Sequence, residues 1–143
     1  MSLRSVDSIE RSVHETNAWL KDLADELGSD DREQAWRVLR AYLRVLRDRL
    51  TVDEAAQLAA QLPLVVRGAF YEGFDPSRQP VKLRHGDEFL ARLADEALLT
   101  ASGEAARAAD AATRVLSRHI TSGEWDDVLA QLPTELRELM QPH

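Results

Sequence analysis

The sequence predicts an all-α protein, a helical bundle of about seven to eight helices built from two pseudo-equivalent repeats. Three observations carry that reading. Apolar residues recur at spacings of three, four and seven along most of the chain, the period of helices that bury one stripe. Alanine and leucine supply 41 of the 143 residues, while the six glycines and five prolines sit mostly at junctions, a composition suited to packed helices. The tetrapeptide "AQLP" occurs twice, with its prolines at Pro63 and Pro133, 70 positions apart.

The first periodic stretch carries Val6, Ile9, Val13, Leu20, Leu23 and Leu27 on one stripe, and Gly28 is placed to end it. The next opens at "DDREQAW", where Asp30 can cap and Glu33 can return the bond to the cap's own N–H. It should run to about Arg49. Its apolar positions, Trp36, Val38, Leu39, Tyr42, Leu43, Val45 and Leu46, cover more than half the circumference, which predicts a central helix touched from two sides. Arg37, Arg40, Arg44 and Arg47 form the strip left for water or carboxylates.

In "LTVDEAAQLAAQLP", Thr51 is the expected cap, Glu54 completes a capping box, and Leu50 and Ala55 are placed as a hydrophobic staple. Pro63 then breaks the helix, because its ring disfavours helical geometry at Leu62 while suiting the first position of a new helix. A short helix "PLVVRGAFYE" follows and stops at Gly73. The segment "GFDPSRQPVKLRHG" has two prolines, two glycines and no long apolar periodicity, so it reads as a connector. Helices resume at "DEFLARLADEALL".

Residues 19–67 laid over 89–137 at an offset of 70, without a gap, give 18 identities in 49 positions, against about three or four expected from background composition. The expected organisation is one all-helical domain over 1–143, with repeat one at about 4–73, a connector at about 74–86 and repeat two at about 87–140. Arg37 returns as Arg107, Thr51 and Glu54 as Thr121 and Glu124, and Arg67 as Arg137. Ile120 and Trp125 replace the first staple. For the recurring Asp, Glu and Arg residues the reading is ion pairs between the first and second helices of each half, with Arg37 and Arg107 among them.

The run "RVLRDRLTVDEAAQLAAQLPLVVRGAFYEGF", followed by "PVKLRHGDEFLARL" and ending in "AQLPTELREL", resembles the bacterial family designated domain of unknown function 2267. The resemblance spans about Ser8 to Met140. It implies an all-helical prokaryotic protein built from a duplicated unit, and it brings no catalytic residue, cofactor or substrate. Phe74 stands where tryptophan is expected in many relatives, a change that keeps aromatic packing.

Composition excludes several functions. There are no cysteines, so no disulfide framework, thiolate metal site or cysteine nucleophile is available, and a reducing cytoplasm fits best. No apolar run approaches the ~20 residues needed to cross a bilayer. A net charge of −7 disfavours attraction to phosphate backbones, and the arginine strip is half lost at Asp110 and Ser117, so nucleic acid is not the expected partner. His14, His85, His119 and His143 show no ligand spacing, so no metal is expected, and no cofactor or nucleophile motif is present.

The unrepeated segment, residues 71–86, combines Tyr71 and Phe74 with Arg78, Lys82, Arg84 and His85. An aromatic and basic connector is a candidate receiver for an acidic partner segment or an anion; its plainer reading is a linker that staples the halves. The expected function is that of a non-enzymatic, cytoplasmic protein–protein interaction module, with a protein partner or a homodimer. The alternative is a small-molecule or anion-binding module using the groove between the halves.

Overall fold

The apolar period becomes helix almost everywhere it was read. A computed structural model describes residues 6–141; Pro142 and His143, like the start of repeat one before Val6, lie outside the described residues. Among the described residues the chain forms eight α-helices and no strand. They are α1 (Asp7–Leu27), α2 (Arg32–Arg49), α3 (Val52–Ala60), α4 (Leu64–Tyr71), α5 (Gly86–Ala97), α6 (Glu104–His119), α7 (Ser122–Ala130) and α8 (Thr134–Leu139). A short 3-10 turn, Pro76–Arg78, interrupts the stretch between α4 and α5.

Local chemistry sets the ends. Helix α1 closes on Gly28 at φ 69°, the left-handed conformation that glycine adopts without a steric penalty. The cap of α2 is Asp31 rather than Asp30: the Asp31 carboxylate accepts the Gln34 N–H at 3.1 Å, and Asp31's own N–H is taken by Ser29 Oγ at 3.0 Å. Asp30 stands one residue too early to reach the first turn. Thr51 and Thr121 cap α3 and α7, each accepting the N–H three residues on at 3.2 Å. Pro63 and Pro133 occupy the cap position itself, one residue before the expected first helical position. Since proline has no capping side chain, α4 is capped from another helix, where Ser12 Oγ on α1 accepts the Val65 N–H at 3.0 Å.

Helices α1, α2, α5 and α6 make the core, α3 packs against α7, and α2 runs through the middle in contact with α1, α4, α5 and α6. Leu39, Tyr42, Leu43, Val45 and Leu46 of α2 are fully buried. The Tyr42 hydroxyl lies 2.8 Å from both Thr113 Oγ1 and Met140 Sδ, and burial pushes its phenol pKa well above the usual range. Leu50, Ala55, Ile120 and Trp125, the expected staple residues, are all buried in this core.

Ion pairs do not follow the expected pattern within each half. Among the described residues neither Arg37 nor Arg107 forms one. The carboxylates of α1 reach across to α6 instead, with Glu26 paired to Arg118 at 2.8 Å and Asp22 hydrogen-bonded to His119 Nε2 at 2.7 Å, and Arg92 of α5 reaches Asp48 of α2 at 2.9 Å. The cause is the packing order: α1 lies against α6 as closely as against α2, and α5 lies against α2.

Candidate functional site

The aromatic and basic connector is assembled by α2. Arg47, read from sequence as part of the strip left for water or carboxylates, is only 5% exposed. Its guanidinium donates to the carbonyls of Phe70 and Glu72, both at 2.7 Å, pairs with Asp48 at 2.8 Å and lies 5.6 Å from the centre of the Phe74 ring. Arg44 and Arg40 hold the Glu72 carboxylate at 2.6 and 3.4 Å. Arg40, Arg44 and Arg47 therefore clamp the end of α4, with Arg47 satisfying the Phe70 and Glu72 carbonyls. Past the turn, Gln79 donates to the carbonyls of Arg47 and Leu50, the Val81 N–H donates to Asp48 O at 2.6 Å, and Arg49 donates to Leu83 O. The connector is strapped along the C-terminal end of α2.

That strap brings Tyr71 and Phe74 together, their rings 5.5 Å apart and edge-on. It does not bring the cations together with them. Arg78, Lys82 and Arg84 are exposed, and His85 turns to Glu135 of α8, with Nδ1 2.6 Å from Oε2. The carboxylate beside it raises the His85 pKa.

A second cluster, not read as functional from sequence, lies where α3 meets α7. Glu54 does not close its capping box, because Thr51's N–H is donated to Gln131 Oε1 at 3.1 Å. The exchange is reciprocal: Thr121's N–H goes to Gln61 Oε1 at 3.1 Å. Relieved of capping, Glu54 and Glu124 turn inward beside Asp127, with one oxygen from each of the three carboxylates lying within 4.8 Å of the others. Glu54 Oε1 and Glu124 Oε2 are buried and accept no hydrogen bond among the described residues. Burial, and then the neighbouring Glu54 carboxyl, push the Glu124 pKa up to about 8.

A third feature is apolar. The stripe Val6, Ile9, Val13 was read as core, yet these residues are 59%, 55% and 46% exposed. Leu64 and Val65 at the start of α4 are exposed as well. Between α1, α2 and α4 lies an open concavity of about 300 Å³, whose lining includes Val13, Leu20, Trp36 and Val65. The Ser12–Val65 bond and the buried Thr16–Ser12 bond of 2.7 Å hold its walls in place. Another concavity of about 310 Å³, between α1, α2 and α6, is bordered by Glu26, Glu104, Asp110 and a single cation, Arg107.

Residues 16–139 match the family described as Uncharacterized conserved protein (DUF2267). The chain belongs to that family. The match covers nearly the whole of it, and comparison with curated proteins finds none that matches. Membership of DUF2267 assigns no reaction, ligand or partner. No described helix is long and apolar enough to cross a membrane.

Sequence reasoning missed two features of this DUF2267 chain. The carboxylate cluster joins residues 70 positions apart, and its only sequence signal was the recurrence of Glu54 as Glu124 and of Gln61 as Gln131. The apolar face was visible as a stripe, but periodicity alone does not say whether a stripe is covered.

Proposed function

We propose that this DUF2267 protein is a non-enzymatic, cytoplasmic interaction module made of a doubled helical unit, and that it docks a partner protein on the apolar face of α1 and α4. The observation that carries this reading is the row Val6, Ile9, Val13, Leu64 and Val65, exposed on helices that hydrogen bonds hold rigid. Contiguous exposed apolar surface on an otherwise charged protein marks interaction sites. The groove behind Val13 and Val65 suits an apolar helix face, with anchors at helical spacing. The occupant is a different protein, one with basic flanks: a net charge of −7 opposes pairing of two copies and steers a cationic partner.

The doubled unit is supported by bonds that recur 70 residues apart, including the threonine caps, the exchanged glutamines, and Arg67 to Ala59 O beside Arg137 to Leu129 O. Phosphate binding by the arginine strip is disfavoured, since Arg40, Arg44 and Arg47 are already committed to Glu72, Asp48 and carbonyls. An anion between the halves is disfavoured by the acidic lining of the α1–α2–α6 concavity.

The test is affinity capture from native lysate, followed by reconstitution with the purified partner, for the wild type and for Ile9→Ser/Val13→Ser/Val65→Ser. The expected outcome is one partner whose affinity falls at least about tenfold in the triple variant, a difference of ~1.4 kcal/mol. Unchanged affinity, or a wild type that forms only its own dimer, contradicts the reading.

A further inference from the structure

We propose that Glu54, Glu124 and Asp127 form a binding site for a single divalent cation of the calcium class at the junction of α3 and α7. The glutamine exchange creates the site. In a capping box a glutamate at the third helical position spends its carboxylate on the cap's N–H. Here Gln131 takes that donor from the other half of the chain, and Glu54 points into the junction instead.

Proximity of three acids is not the argument by itself, since exposed acidic groups gather without consequence. The second observation is the state of the two inner carboxylates. Glu54 is 5% exposed and Glu124 9%. An oxygen on each, Oε1 of Glu54 and Oε2 of Glu124, has no hydrogen-bond partner among the described residues. Among those residues no lysine, arginine or histidine forms an ion pair with any of the three acids, although the chain has 18 lysines and arginines. Buried carboxylate oxygens that no neighbouring donor reaches are costly; a proton shared between the two or a bound cation offsets that cost, and the cation ligates both at once.

Ligand number and chemistry decide the class. Calcium takes oxygen ligands at 2.3–2.6 Å in flexible geometry, so two ligands on opposite sides of the ion stand up to about 4.6–5.2 Å apart. The three oxygens here are no more than 4.8 Å apart, inside the span that one such ion bridges. Magnesium dehydrates reluctantly and is usually held by one or two carboxylates plus substrate phosphates, so three protein carboxylates favour calcium. The exposed position of Asp127 leaves room for water to complete the coordination shell.

The test uses the full chain freed of metal with a chelator, then titrated with calcium chloride at neutral pH and followed by calorimetry and thermal melting. The expected result is one saturable site per chain that raises Tm, with magnesium weaker. In Glu54→Gln/Glu124→Gln calcium affinity falls by about tenfold or more, Asp127→Asn falls less, and the surface variant Asp25→Asn binds as the wild type does. Melting of each variant with chelator present establishes that it is folded, and terbium emission excited through Trp125, next to Glu124, reads the same site independently. A wild type that shows no saturable calcium heat, no calcium-dependent Tm and no terbium signal overturns the proposal, and a Tm raised only by acid then assigns the junction to a shared proton. Calcium binding that persists undiminished in Glu54→Gln/Glu124→Gln overturns it equally.

Discussion

The side-chain carbonyl of Gln131 accepts the backbone N–H of Thr51 at 3.1 Å, across 80 positions of sequence. Gln61 does the same for Thr121 at 3.1 Å. Each glutamine ends one short helix and caps the start of the other across the α3–α7 junction. Removing Gln131 leaves a cap N–H unsatisfied, so Gln131→Ala is expected to cost about 1 kcal/mol, and Gln61→Ala the same. Both should appear as a lower urea midpoint at unchanged slope. Gln57→Ala, on the exposed side of α3, should change stability by less than about 0.5 kcal/mol.

The junction also predicts a pH dependence in metal-free buffer. Glu124 ionises at about 8 in the folded protein against its ordinary 4.5, so between those values the folded state holds a proton that the unfolded chain has released. Stability from this group is complete below about pH 4.5 and is lost as pH rises toward about 8. Urea unfolding with chelator across that range should show the decline, and Glu124→Gln should flatten it. A variant whose profile superimposes on the wild type contradicts the assignment.

Arg47 and the connector cations should behave oppositely. Arg47→Ala removes two carbonyl bonds and strands Asp48 with only Arg92, for an expected loss of about 3 kcal/mol in urea unfolding. Arg78→Ala/Lys82→Ala/Arg84→Ala touches only exposed side chains and should cost less than about 1 kcal/mol in total.

Leu98 ends α5 at φ 58°, in the left-handed conformation that Gly28 adopts 70 residues earlier at φ 69°. For a side-chain-bearing residue that conformation costs roughly 1–2 kcal/mol. Leu98→Gly should therefore raise Tm, with a gain of up to about 1 kcal/mol after the added flexibility of the unfolded chain is offset. Gly28→Ala should lower it by a similar amount, although no atom lies within 4 Å of the added methyl.

What was legible in the sequence follows the range of the interactions. Thr51 and Thr121 were readable as caps because the donor lies three residues away. The helix break at Pro63 was readable because proline acts on its own backbone. Glu54 was misread as a capping-box partner because its competitor, Gln131, comes from 80 positions on. Arg47 was left for water or a carboxylate by the helical wheel of α2, and it does pair with Asp48, yet the end of α4 also covers it, and that contact depends on how the chain returns after α3. The stripe of α1 was assigned to the core because Val6, Ile9 and Val13 continue the spacing of Leu20 and Leu23, while nothing in the spacing says that the first turns of α1 are left uncovered.

The docking face is tested most directly by site-specific photo-crosslinking in native lysate, with a photoreactive residue placed in turn at Ile9, Val65, Arg84 and Leu98. The account predicts that Ile9 and Val65 capture the same polypeptide, different from the chain itself, while Arg84 and Leu98 capture none of it. Capture from Arg84 with silence at Ile9 and Val65 would move the site to the connector and contradict the account.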